Sequence, residues 1–212
     1  MPLGDASDEL TDYLAHLLIM RDWLAHLRQA MAFQAEVSPA ATAFDAAVLD
    51  AAARIALIDR DIADLSLLGL TLPGTPQGST PVLPAPAAWR EPAYCWGVRY
   101  VIEGAQLGGA LLSRRLGARH GAALPLRYLS GDGSAPGRRW QAFVDALCAA
   151  VRESAQIDTA CAAACQAFDL LLAWAGRHRV SAPASAAGWA PGSAHPLPAA
   201  LDPLPVPPDR GA

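Results

Sequence analysis

Lysine is missing from this chain: all 16 of its positive side chains are arginine. Against 20 acidic residues they leave a formal net charge of −4, which excludes the basic footprint expected of a general nucleic-acid binder. The lysine-free composition reads first as coding bias, and second as a preference for the forked carboxylate recognition that only guanidinium offers. Aromatic residues are also scarce, at 7%. No apolar run approaches the roughly 20 residues needed to cross a bilayer, and the acidic "MPLGDASDEL" start has no basic region followed by an apolar stretch. The expected location is therefore cytoplasmic, with no membrane partner and no nucleic-acid partner. Only four cysteines occur, Cys95, Cys148, Cys161 and Cys165. In a reducing compartment they are expected to be small packing residues rather than disulfides. Cys161 and Cys165 are four apart on one helix face, half of a metal site at most, so no metal site is expected.

What is abundant is alanine, which carries most of the 53% hydrophobic content. Alanine favours helix and disfavours strand, so the expected fold class is all-α. "DELTDYLAHLLIMRDWLAHLRQAM" places Leu10, Tyr13, Leu14, Leu17, Leu18, Trp23, Leu24 and Leu27 at amphipathic-helix spacing, with Ser7 or Asp8 to cap it. One or two helices follow from Ser38 and Pro39 to a stop at Gly69. Residues 72–92 are rich in proline and glycine and read as an irregular connection. A helix is predicted from Glu91 to Arg119, ending before Gly121. A turn-rich loop, "LPLRYLSGDGSAPG", and two more helices, 138–156 and 157–179, complete five or six helices. The helical domain spans residues 1–180. Residues 181–212 are proline-rich without periodicity and read as a disordered tail, dispensable for folding.

The anomaly lies in "YVIEGAQLGGALL", where Gly104, Gly108 and Gly109 interrupt an otherwise good helix. Each costs roughly 1 kcal/mol relative to alanine. Gly97, Gly104 and Gly108 share one stripe with Val101 between them. Such a stripe admits either a second helix in close packing or a flat ligand lying on the backbone, and spacing does not choose between them. Three helix-weakening residues within six positions predict that the segment bends at Gly104–Gly109 and that a cavity lies against its glycine face.

"WGVRYVIEGAQLGGALLSRRLGARHG" resembles the distal helix of bacterial heme oxygenases, whose pattern is close to "YVLEGSTLGG". "LRYLSGDGSAPGRRWQAFVDAL", "DYLAHLLIMRDWLAHL" and "LIDRDIADLSLLGL" resemble neighbouring segments of the same family, so the likeness extends over most of Asp12–Gly176. It implies a heme oxygenase-like multi-helical bundle with a glycine-kinked distal helix over the porphyrin. It also implies a function: heme, both cofactor and substrate, is opened to biliverdin, CO and iron. The electrons come from an external donor, a separate reductase, and the product passes to an acceptor such as a phytochrome. Gly104, Gly108 and Gly109 would be the catalytic positions, where a Cβ would occupy the oxygen site. Tyr100 would reach toward a distal water network, with core packing as its alternative role. Arg139, chosen among Arg99, Arg114, Arg115, Arg138 and Arg139, would hold a heme propionate. Arg99 and Glu103, four apart, suggest a surface pair.

The family's iron ligand is a histidine on a helix preceding the part that matches "DYLAHL". Only eleven residues precede Asp12 here and none is histidine, so that proximal helix is absent from this sequence. His16 and His26, ten residues apart on one helix, read as solvated or core histidines, and His120, His178 and His195 lack a ligand's context. Three readings follow: an enzyme whose start lies further upstream; a non-catalytic protein binding heme or another planar ligand on the same fold; and a scaffold that kept only the helices.

Overall fold

The computed structural model describes residues 6–37, 42–70, 79–81, 88–121, 123–131 and 136–178. Among these there are six α-helices, one 3₁₀ turn and no strand: α1 Ala6–Val37, α2 Thr42–Leu67, the turn Ala88–Arg90, α3 Pro92–His120, α4 Arg127–Ser130, α5 Pro136–Ala150 and α6 Ser154–Arg177. The protein is all-α, as its alanine content dictates. The expected tail, residues 181–212, and the expected helix start at Ser38–Pro39 lie outside the described residues, as does His195.

Each long helix buries the stripe its sequence periodicity selects. On α1 the buried positions are Tyr13, Leu14, Leu17, Met20, Trp23, Leu24, Leu27 and Met31, the three-and-four rhythm of one helical face. α2 buries Ala51, Arg54, Ile58, Asp61 and Leu65 at the same spacing. α6 buries Ala160, Ala163, Ala167, Leu170 and Trp174. α1 packs on α2 and α6, and α3 packs on α6, α5 and α4. The indole N–H of Trp23 donates to the Ala167 carbonyl at 3.1 Å, tying α1 to α6.

α6 is also the one described helix whose length and composition would suit a membrane span, with a mean hydropathy of 1.3 and 22% of that window buried. Its Ala160–Trp174 stripe packs in the core against α1 and α3.

Two helix ends are set by glycine. Gly69 (φ 81°) follows α2 and Gly121 (φ 83°) follows α3, both in the left-handed region that side chains disfavour. Pro92 opens α3 at its first position, where a missing N–H costs nothing. Three local expectations are adjusted. α1 begins at Ala6, so Ser7 and Asp8 fall within its first turn. The loop after α3 contains the one-turn helix α4. The predicted 138–156 helix ends at Ala150, because Glu153 and Gln156 form a reciprocal capping pair that starts α6. Gln156 Oε1 accepts from the backbone N–H of both Arg152 and Glu153, at 3.1 and 3.2 Å.

α4 is anchored by a buried carboxylate. Asp61 has no exposed surface, and a buried charge persists only when well bonded. Its oxygens accept from the Tyr128 backbone N–H at 2.9 Å, Arg127 Nη1 at 3.1 Å and the Tyr13 hydroxyl at 3.4 Å. This one side chain joins α1, α2 and α4.

Candidate functional site: the glycine face of α3

The stripe glycines divide into two kinds. A Cβ built at Gly97 would collide with the backbone carbonyl of Ala160 and lie 2.8 Å from the Ala163 methyl. Gly97 is therefore where α6 touches the backbone of α3. Gly104, Gly108 and Gly109 are different. A Cβ at Gly104 would rest 3.7 Å from the Trp140 ring, and one at Gly109 would rest 3.5 Å from Leu129, both ordinary contacts. A Cβ at Gly108 would meet nothing within 4 Å. Close packing accounts for Gly97 alone.

Gly108 lies on a face that no described element covers. Tyr100, Leu107 and Leu111 are 41%, 37% and 69% exposed. With Gly104 and Gly108 they form an apolar strip along successive turns of one helix side. Tyr100 and Trp140 pack with ring centroids 5.2 Å apart, so an aromatic wall stands beside Gly104. α3 stays helical without interruption through Gly104–Gly109.

Behind the strip lies an ion network joining α2, α3 and α5. Arg139 Nε donates to Glu103 Oε2 at 2.9 Å, and its Nη2 reaches Glu103 Oε1 at 3.1 Å and Asp50 at 3.2 Å. Arg54 Nη2 donates to Glu103 Oε1 at 3.0 Å, its Nε to Asp50 at 2.8 Å, and its Nη1 to the Ile102 carbonyl at 3.3 Å. Glu103 and Arg54 are 8% and 6% exposed. The hydrogen bond to Glu103 holds Arg139 firmly protonated, well above its usual range, with burial opposing and the nearby carboxylate charges assisting. Next to this network is a cavity of ≈ 230 Å³, lined in part by Gln106, Tyr128, Leu129 and Arg139. Burial pushes the Tyr128 hydroxyl up to about 12.

The structure thus brings Tyr100, Gly104 and Gly108 onto one accessible face and turns Gly109 toward α4. Arg139 is joined to that face through Glu103, one residue before Gly104, and spends its forked donors on protein carboxylates. Arg99 does not pair with Glu103; its guanidinium stacks over the rings of Trp96 and Phe143, at 4.8 and 5.6 Å. Trp140 was not anticipated, although it follows Arg139 directly in "RRW". The Asp50–Arg54 pair carried a local signal, its spacing of four on α2.

The histidines lie elsewhere. His26 Nδ1 accepts from the Trp174 indole at 3.3 Å. His120 Nε2 is 2.9 Å from Glu9 Oε2, and His178 Nε2 is 2.8 Å from Asp22 Oδ2. His16 sits on α1, where burial holds its imidazole below the ordinary 6.5. None of these contacts reaches the Tyr100–Leu111 face. No group of three or more His, Cys, Asp or Glu among the described residues could hold a metal ion. Cys95 is buried, whereas Cys148, Cys161 and Cys165 are exposed, so only the first is the packing residue expected.

The backbone is open at Gly108, but neither the ≈ 230 Å³ cavity nor a second one of ≈ 430 Å³ is lined by Gly104, Gly108 or Gly109, so the cavity expected against these glycines is neither of the two. An axial imidazole facing the glycine strip is not among the described residues, and the propionate candidate Arg139 is already engaged. Comparison with protein-family models, curated proteins and solved structures finds no match to this chain.

Proposed function

We propose that the glycine face of α3 receives the flat side of heme, and that the protein is a cytoplasmic, heme oxygenase-type protein on a heme oxygenase-like bundle. In this reading heme is both cofactor and substrate, opened to biliverdin, CO and iron with electrons from a separate reductase. The observation that carries the reading is the open space at Gly108, beyond the Tyr100–Trp140 contact, where close helix packing explains only Gly97. Bound heme would supply the oxygen chemistry. This chain's residues would supply a bare backbone over the ring, the Tyr100–Trp140 wall at its edge, and a rigid base in the Glu103–Arg54–Arg139 network. An iron ligand would have to come from outside the described residues. That requirement favours a second reading, in which the same face holds heme or another planar ligand without degrading it.

Titrating the full chain with hemin and following its absorption tests the reading. Saturable one-to-one binding is expected, with Gly108→Leu weakening it by at least about tenfold, or 1.4 kcal/mol. The Gly108 site is open, so the variant should keep the helical circular-dichroism signal of the parent. Unchanged hemin affinity in Gly108→Leu would sink both readings. Biliverdin formation on adding a reductant separates them: turnover supports the enzyme, and stable bound hemin supports the binding protein.

A further inference from the structure

We propose that a second cavity, formed where α5 and the start of α6 meet α3, is a binding site for a small, uncharged aromatic molecule. The cavity has a volume of ≈ 430 Å³, within the roughly 300–1,000 Å³ range of small-molecule pockets. Its walls include the rings of Trp96 and Tyr100, the aliphatic side chains of Val151 and Ile157, and the thiols of Cys148 and Cys161. No charged residue lines it. An ionised ligand would lose its water there without gaining a counter-charge, so the occupant is neutral. Two aromatic walls favour a flat, π-rich body. The polar groups of the lining side chains are the Tyr100 hydroxyl, the Trp96 indole N–H and two thiols, which suits a ligand with one or two hydrogen-bonding groups.

The site is built rather than incidental. Gly97 lies in its wall and lets α3 and α6 meet at backbone distance, which fixes the spacing of the two sides. The Arg99 guanidinium stacks on Trp96 and Phe143, holding the indole by a cation–π contact. Meanwhile Ile157 remains 45% exposed and Tyr100 41%, so a ligand would cover apolar surface that the fold leaves in water. Gly97 and Tyr100 belong both to this wall and to the glycine-bearing side of α3, whereas Gly104, Gly108 and Gly109 do not line the cavity; the site stands whether or not heme binds at Gly108.

The cysteines provide an internal control. Cys148 and Cys161 line the cavity, whereas the exposed Cys165, one helical turn beyond Cys161, does not. The neutral fluorophore N-phenyl-1-naphthylamine, added to the full chain, should bind saturably at one site. Bound probe should slow maleimide labelling of Cys148 and Cys161 by about tenfold and leave Cys165 unchanged, as expected when a ligand buries most of its pocket. Cys161→Trp should fill the cavity and weaken the probe by at least about tenfold, whereas Gly108→Leu should leave it unaffected. Equal protection of all three thiols, non-saturating fluorescence, or full affinity in Cys161→Trp would each overturn the proposal. The labelling pattern is read on the unmodified chain, so it decides the matter even where the tryptophan variant fails to fold.

Discussion

At Gly97 and Gly108 the same residue type answers two different demands, and alanine substitution tells them apart. A methyl at Gly97 meets the Ala160 carbonyl, and backbone cannot swing aside as a side-chain tip can. Gly97→Ala should therefore separate α3 from α6 and destabilise the fold by about 1–3 kcal/mol, the usual cost of overpacking. At Gly108 the methyl meets open space, and alanine recovers helical propensity. Gly108→Ala should be neutral or stabilise by up to about 1 kcal/mol. Urea unfolding of the two variants beside the parent measures both, and equal destabilisation would show that something covers Gly108. The stripe itself was legible from spacing, but its division was not. Which glycine meets a neighbour depends on α6, some sixty residues further along the chain. Glu103 makes the same point. Spacing offered Arg99 four residues away, while the fold supplies Arg54 and Arg139 from two other helices, partners that no local pattern displays.

The helices themselves were legible where the chain carries punctuation. Pro92 and Gly121 bracket α3 within a residue of expectation, and Gly69 closes α2, because these residues restrict or permit the backbone at the boundary itself. The junction of α5 and α6 carries neither proline nor glycine in "CAAVRESAQID", so the break between Ala150 and Ser154 rests on side-chain capping alone. Gln156 is the residue to test. Its Oε1 accepts from two backbone N–H groups at the start of α6, which would otherwise go without an intrahelical partner. Gln156→Ala should cost about 0.5–2 kcal/mol, the range for losing a helix cap. Gln156→Glu should retain most of that stability, since a carboxylate accepts the same bonds and favours a helix N-terminus. Equal losses in both variants would mean that packing at this position, not capping, sets the boundary. The break matters beyond stability, because Val151 and Ile157 on either side of it line the apolar cavity.

Across the whole molecule, the buried titratable groups predict a stability plateau with two different shoulders. On the acid side, burial holds His16 and His26 below the ordinary 6.5. Both are neutral in the fold while the unfolded chain takes up protons near 6.5. Their contribution is complete above that pH and is lost as pH falls from 6.5 through their lowered folded values. Glu9 adds a second loss lower down. The hydrogen bond with His120 holds its carboxyl below the ordinary 4.5, with burial opposing and the charges of Arg119 and Arg115 assisting. That contribution is present above 4.5 and disappears as pH falls through the lowered value; because its partner Arg115 is exposed, it should also weaken with salt. On the alkaline side, burial pushes Cys95, Tyr94 and Tyr128 each up to about 12, from ordinary values of 9.0, 10.0 and 10.0. The unfolded chain releases these protons first, so stability is full below 9 and falls between 9 and 12. Urea midpoints measured from pH 4 to 12 should therefore be flat between about 6.5 and 9 and decline on both sides. His16→Gln removes a titrating ring but keeps a neutral polar side chain, so it should reduce the loss between pH 6.5 and 5 and leave the alkaline shoulder unchanged. An acid limb that is identical in His16→Gln would show that His16 reaches water in the native fold and titrates as it does in the unfolded chain.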